Sequence, residues 1–170
     1  MKEGGTVDAA VSAAREKLKD LTPLKKDCGR ICGARCCRSM DSEETGMLLF
    51  PGEAEGYRHK PGWKVLNTGR GDLLVCPGVC DRDERPLACR LFPLLPVIGE
   101  NGKIRVLTDL RARAVCPLAR QGKSAMDPAF IDAVRETGQI LAESEEQVMF
   151  LDLLAQEQEE FRELGQKLHK

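Results

Sequence analysis

The sequence predicts an α+β fold in which a small cysteine-rich core with short β-hairpins lies between an N-terminal helix and C-terminal helices. Three observations support this prediction. All eight cysteines lie between residues 28 and 116, the same region holds short apolar runs separated by glycine turns, and helical periodicity is restricted to the two ends of the chain. With 170 residues the chain fits one domain. Residues 22–120 are expected to form the core and residues 127–170 a helical extension.

Composition and charge exclude several classes of protein. Aromatic residues make up only 4% of the chain, so the core must rely on aliphatic side chains. The net charge of −1 gives no electrostatic basis for binding nucleic acid or a membrane surface. The first ten residues contain no apolar signal segment, and no stretch approaches the ~18 uninterrupted apolar residues that a membrane-spanning helix requires. We therefore expect a cytoplasmic protein.

Helices are predicted at both ends of the chain. Apolar residues recur at helical spacing near the start, which predicts a helix over residues 7–21 with Thr6 as its N-cap. This helix leads directly into the first cysteines. Near the other end, Asp127 followed by proline is typical of a helix start. We expect two C-terminal helices with a break near residues 142–145.

Two β-hairpins are predicted between the helical ends. Residues 63–66 and 73–75 read as strands joined by a glycine turn, and the second of them runs into Cys76. Residues 97–98 and 104–107 form a second hairpin, because the Asn-Gly between them suits a tight turn. Two strands that end in a cysteine pair are typical of small metal-holding knuckles.

The cysteines are clustered along the chain. Four of the eight have the spacing C-x3-C-x3-C-C over residues 28–37, and the other four lie at or after residue 76. In a reducing compartment such clusters are more often metal ligands or redox groups than structural disulfides. Thiolates select Zn(II), Cu(I) or iron–sulfur clusters, and a site typically takes four of them. The candidate metal ligands are Cys28, Cys32, Cys36, Cys37, Cys76, Cys80, Cys89 and Cys116.

The number of sites that these thiols form is a separate question. Eight thiols are sufficient for two four-ligand sites. Cys36 and Cys37 are adjacent, and in extended backbone their side chains would point in opposite directions. One would then face the metal while the other faces a second site or the core, and Cys116 is a further candidate for a core residue. We expect residues 28–37 to supply half of one metal-binding core, closed by Cys76, Cys80 and Cys89.

The sequence around Cys89 carries a family resemblance. Residues 85–93 read R-P-L-A-C-R-L-F-P and are expected to form a short helical turn. Together with the C-x3-C-x3-C-C cluster and the C-x3-C pair at residues 76–80, this segment resembles the zinc- or iron-chelating CxxCxxCC family. The resemblance covers residues 28–117, although the first spacings are three residues here and two in the family. It implies a bound zinc ion or iron–sulfur cluster.

The same resemblance implies roles for two arginines. Arg85 and Arg90 flank Cys89 and would donate hydrogen bonds to thiolate sulfur, tuning its basicity or potential. The alternative is that both form surface salt bridges with the acidic residues nearby. Those residues are Asp81, Asp83 and Glu84.

Three functions follow from these patterns. The first is a thiolate metal protein with an electron-transfer, methyl-transfer or sensing role; a Cys-Pro pair, which occurs twice here, also closes bacterial ferredoxin motifs and favours an iron–sulfur cluster. Methyl transfer is the role implied by the flagellin lysine N-methylases, which belong to the family. The second is a structural Zn(II) module whose C-terminal helices bind a protein partner. The third is a metal carrier. Nothing in the sequence indicates a phosphate-binding loop or an HExxH motif.

Overall fold

The computed structural model describes residues 8–38 and 46–168. In this part of the chain the fold is α+β, as predicted, with two small antiparallel sheets between an N-terminal helix and C-terminal helices. The helices are α1 (Ala9–Lys17), α2 (Cys28–Cys32), α3 (Glu55–Arg58), α4 (Leu87–Leu91), α5 (Pro117–Gln121), α6 (Pro128–Leu141) and α7 (Glu145–Leu168). The strands are β1 (Met47–Leu48), β2 (Lys64–Thr68), β3 (Gly71–Val75), β4 (Leu94–Ile98) and β5 (Ile104–Thr108).

The N-terminal helix is shorter than predicted. Asp8, not Thr6, is its N-cap, because the Asp8 carboxylate accepts hydrogen bonds from the backbone N–H groups of Ala10 and Val11. Helix α1 ends four residues before the predicted position, and Thr6 lies outside the described residues. The buried face of α1 is the one that the periodicity indicates, with Val11 and Leu18 nearly inaccessible to solvent.

Both predicted hairpins are confirmed. Strands β2 and β3 pair in antiparallel register, and β1 adds to the other edge of β3, so that the sheet order is β1-β3-β2. Strands β4 and β5 form a separate hairpin. The predicted helical turn before the second hairpin is α4, which carries Cys89. Because β3 ends at Val75, Cys76 follows the sheet directly, as the sequence indicated.

One hydrophobic core unites the two ends of the chain with the β4–β5 hairpin. Its buried side chains come from α1, α4, α6, α7 and this hairpin. Helix α6 lies very close to the hairpin at Gly138, where a Cβ atom would come within 2.8 Å of the Pro96 Cβ and 2.6 Å of the Ile104 Cγ2. Strands β1–β3 carry a smaller core of their own. Its buried members are Leu49, Tyr57 and Leu74.

The two C-terminal helices are confirmed, with the break between Leu141 and Glu145. Asp127 caps α6 by accepting a hydrogen bond from the Ala129 N–H, and Pro128 occupies the first turn. The distal end of α7 extends beyond the core, so that Leu168 is exposed. Within residues 8–38 and 46–168, none of the helices combines the length and the apolar content needed to cross a membrane.

Candidate functional site

The first four cysteines lie on two short helical turns. Asp27 caps α2 by accepting a hydrogen bond from the Gly29 N–H at 3.0 Å. Helix α2 ends at Gly33, whose φ of +66° is left-handed, and Ala34 follows with φ of +51°. These two left-handed residues reverse the chain into a 3-10 turn over Arg35–Cys37. The reversal places Cys28, Cys32 and Cys36 on the wall of one cavity and Cys37 on the wall of a second.

Cys36 and Cys37 do not diverge as the sequence analysis expected. The prediction assumed extended backbone, but the 3-10 turn places their Sγ atoms 4.0 Å apart. The hydrogen bond between the two thiols lowers the pKa of Cys37 to about 6, with the Arg85 guanidinium contributing. The same hydrogen bond, together with burial, raises the pKa of Cys36. Cys37 is therefore the thiol of this pair that loses its proton first.

Two adjoining cavities contain all eight cysteines in their walls. The first cavity has a volume of about 320 Å³. Its cysteines are Cys28, Cys32, Cys36, Cys89 and Cys116. The second cavity has a volume of about 120 Å³. Its cysteines are Cys36, Cys37, Cys76, Cys80 and Cys89. The residues common to both walls are Cys36, Arg85, Cys89 and Phe92.

The thiols that raise the pKa of Cys28 are not the ones that raise the pKa of Cys89. Burial raises the pKa of Cys28, and the neighbouring thiols of Cys32 and Cys116 raise it further. Burial also raises the pKa of Cys89, but the thiols that add to this shift belong to the second cavity. They are Cys37, Cys76 and Cys80. We therefore define a first thiol group, Cys28, Cys32, Cys36 and Cys116, and a second thiol group, Cys37, Cys76, Cys80 and Cys89. Cys36 lines both cavities and connects the two groups through its contact with Cys37.

The second thiol group is assembled from three segments. The loop that carries Cys76 and Cys80 lies against the 3-10 turn, because a Cβ at Gly78 would be 3.3 Å from the Cys37 carbonyl oxygen. Gly78 has a φ of +88°, which favours glycine. Helix α4 supplies Cys89. The first thiol group is assembled in a similar way, since Cys116 directly precedes α5 and joins the cysteines of α2.

Glu53 fixes the start of α4, and sequence reasoning missed it. Its side chain is buried, with 1% of the residue exposed. The carboxylate accepts hydrogen bonds from the Leu87 N–H at 2.9 Å and the Phe50 N–H at 3.1 Å. The Arg15 guanidinium lies 3.7 Å from the same carboxylate. Leu87 is 34 residues from Glu53 in sequence, so no local pattern could have indicated this role.

The two arginines have different surroundings. Arg90 donates hydrogen bonds to three backbone carbonyls, those of Arg85, Arg15 and Asp83, at 2.9–3.1 Å. It therefore holds α1, α4 and the loop before α4 together. The Arg85 guanidinium opposes the effect of burial on Cys80 by lowering the pKa of that thiol. Within residues 8–38 and 46–168, neither arginine forms the salt bridge that the sequence offered as an alternative.

Each of the eight cysteines, all of which lie in the described part of the chain, is a free thiol. Among residues 8–38 and 46–168, no group of three or more His, Cys, Asp or Glu side chains is arranged so that it could hold a metal ion. The thiols are instead distributed around the two cavities. No protein-family model, curated protein or solved structure matches the chain. The resemblance to the CxxCxxCC family stays a prediction.

Proposed function

We propose that the protein binds metal through two thiolate centres, one in each cavity, and that iron–sulfur clusters occupy them. The observation that carries this proposal is that all eight cysteines line two adjoining cavities. The thiols that raise the pKa of Cys28 differ from those that raise the pKa of Cys89, and the contact between Cys36 and Cys37 connects the two sets. Four cysteine thiolates are the usual ligand set of both a structural zinc site and an iron–sulfur cluster.

The size of the cavities favours a cluster over a single ion. In a tetrahedral zinc site every sulfur lies about 2.3 Å from the metal, so the four sulfurs nearly touch. Here even the smaller cavity has a volume of about 120 Å³, and apolar side chains such as Trp63 and Leu74 lie in its wall beside the thiols. A group larger than one ion fits this spread of sulfur donors better. Bound Zn(II) is the alternative occupant, and it would require the thiols to converge.

Different residues of the chain would hold the two clusters. The first thiol group would hold one cluster and the second thiol group the other, while Arg85 lies in the wall that separates them. A bound cluster supplies one-electron redox chemistry, at a potential set by burial and by hydrogen bonds to sulfur. We place the protein in the cytoplasm on the same grounds, since a reducing compartment keeps its thiols available for metal.

Anaerobic purification of the full chain, followed by iron, zinc and acid-labile sulfide analysis, tests the proposal. We expect iron and sulfide in comparable amounts, with a broad visible absorption that is bleached by dithionite. Colourless protein that contains zinc and no sulfide would reject the clusters and leave the thiolate sites. Protein that takes up neither metal, with or without reconstitution, would reject the sites themselves.

Replacing Gly78 by alanine is expected to destabilise the fold by roughly 1–3 kcal/mol and to weaken metal binding by the second thiol group. The added Cβ is strained at a φ of +88° and meets the Cys37 carbonyl oxygen. Gly122→Ala is the matched control, because its φ is +89° but its Cβ would meet nothing within 4 Å. Denaturant unfolding and metal analysis should show that both variants lose stability and that only Gly78→Ala loses metal. Equal metal content would contradict the role given to this loop.

The distal end of α7 supports a second candidate function, a zinc module that binds a protein partner. Large apolar side chains are exposed there at helical spacing. They are Phe161, Leu164 and Leu168. In this version the metal only stabilises the fold, so chelation would unfold the protein. Zinc-containing protein whose circular dichroism and melting temperature survive chelation would reject it.

A further inference from the structure

The two cavities differ in size although each has five cysteines in its wall. The first encloses about 320 Å³ and the second about 120 Å³. If a similar metal group occupies each, the first cavity has room for a second molecule beside it. This step rests on the proposed function. The charge and shape of the first cavity, described next, do not depend on it.

The wall of the first cavity is strongly basic. It has five cationic side chains and no acidic one. They are Lys19, Arg35, Arg82, Arg85 and Arg90. The second cavity has only two, Arg38 and Arg85. The guanidinium of Arg90 is occupied by three backbone carbonyls, and the Lys19 ammonium lies 3.8 Å from the Glu16 carboxylate. Arg35, Arg82 and Arg85 are then the groups that would attract an anion.

Two of these arginines have buried N–H groups without a hydrogen-bond partner in the described part of the chain. They are Nη2 of Arg82 and Nε of Arg85. Arg82 is held from one side, since its Nε donates to the Lys19 carbonyl at 3.1 Å. A buried N–H without an acceptor is costly, and such groups often mark a site whose partner is a bound molecule or ion. Both arginines line the first cavity.

Most of the remaining wall is apolar, with Thr22 and Gln121 as the exceptions beside the thiols. Leu21, Pro23, Val115 and Leu118 line it, and Ile31 on α2 lines it while 67% of that residue is exposed. A largely apolar cleft with a few convergent polar groups is typical of small-molecule sites. A purely inorganic anion would use the arginines but not this surface. An organic anion would use both.

We propose that the first cavity binds a small organic carboxylate with an apolar body, beside the first thiol group. Its carboxylate would pair with the guanidinium groups of Arg82 and Arg85, since arginine matches the geometry of a carboxylate. Its apolar body would lie against Ile31, Val115 and Leu118. The ligand would then lie next to the metal centre that the same cavity holds.

Titration calorimetry on the purified full chain, with its metal content measured first, tests this site. The probes are hexanoate, the neutral 1-hexanol, the cationic hexylamine and inorganic phosphate. We expect hexanoate to bind roughly tenfold or more tightly than 1-hexanol and hexylamine, because one charged hydrogen bond is worth about that factor. We expect a similar margin over phosphate, because phosphate lacks the methylene groups that the apolar wall would bury. Arg82→Gln should weaken hexanoate binding roughly tenfold. Arg105→Gln, at an exposed position on β5 outside this cavity, is the control and should leave it unchanged.

The outcomes separate this inference from the metal proposal. Metal-containing protein that does not bind hexanoate, or that binds 1-hexanol equally well, would overturn the carboxylate site and assign the basic wall to the thiolates alone. Protein that takes up no metal even after reconstitution, but that binds hexanoate through Arg82, would support the carboxylate site and reject the metal centres. If Arg82→Gln does not fold, Arg82→Lys provides the comparison, because lysine keeps the charge but lacks the fork of N–H donors that matches a carboxylate; it should also weaken hexanoate binding.

Discussion

Replacing Cys28 and Cys32 together by serine is expected to remove about half of the bound metal and sulfide, and replacing Cys76 and Cys80 together is expected to remove the other half. The physical reason is that the two pairs line different cavities, Cys28 and Cys32 the first and Cys76 and Cys80 the second. Serine keeps the size of cysteine but loses the soft thiolate that these metals select. Metal and sulfide analysis of anaerobically purified variants measures the loss.

The metal and sulfide that each double variant retains serve as its internal control. If the two groups are separate, each double variant keeps one centre, and its spectrum should equal the difference between the wild type and the other variant. Loss of all metal in either variant would mean that the eight thiols form a single site. Unchanged metal content in both would remove these four cysteines from the ligand set.

Cys36 and Cys37 differ from the other cysteines, because replacing either of them should affect both thiol groups. They share one 3-10 turn and their Sγ atoms are 4.0 Å apart, so that any distortion of the turn reaches both groups. The sequence could not indicate this, because the assumption of extended backbone was the natural one for two adjacent residues. The turn depends on the left-handed conformation of Ala34, which sequence propensities disfavour for a residue with a Cβ.

The elements that the sequence predicted well are those with local signals. The Asn-Gly turn between β4 and β5 and the Asp-Pro start of α6 are chemical requirements of a turn and a helix end, and both lie where they were expected. The N-cap of α1 was wrong because Thr6 and Asp8 are both good capping residues, and only the folded chain selects between them.

Which thiols lie together in the folded chain was harder to predict from the sequence than the fact that they cluster. The spacing C-x3-C suggests that Cys76 and Cys80 act together, and they do share a cavity. That Cys116 joins Cys28 while Cys89 joins Cys80 depends on where the folded chain places α4 and the start of α5. Such long-range packing leaves no periodicity in the sequence. The single closed core expected around residues 28–37 therefore becomes a proposal of two adjoining centres.

Replacing Glu53 by alanine is expected to destabilise the fold by about 3–5 kcal/mol, which is the usual cost of removing one partner from a buried charged network. The substitution leaves the Leu87 and Phe50 N–H groups without their acceptor and removes the carboxylate beside Arg15. Denaturant unfolding followed by circular dichroism measures the loss.

Two further variants show which property of Glu53 matters. One keeps its volume but removes an acceptor oxygen, and the other removes a carboxylate from an exposed ion pair. Glu53→Gln keeps the volume but offers one acceptor oxygen to two N–H donors, so it should cost about 1–3 kcal/mol. Glu84→Ala is the exposed control: Glu84 pairs with Lys60 at 2.9 Å with both side chains partly in solvent, and it should cost less than about 1 kcal/mol. A Glu53→Gln variant as stable as the wild type would show that neither the charge nor the second acceptor oxygen matters at this position.

Substitution of Glu53 should also weaken metal binding by the second thiol group, because one of its cysteines lies on α4. Leu87 begins that helix, and Cys89 lies two residues further on, so that the Glu53 hydrogen bond fixes where this thiol enters the cavity. We therefore expect folded Glu53→Gln protein to retain the centre of the first thiol group and to lose metal from the second. The substitution keeps all eight thiols and changes only the hydrogen bond that fixes the start of α4. Retention of both centres would therefore show that Glu53 stabilises the fold without positioning Cys89.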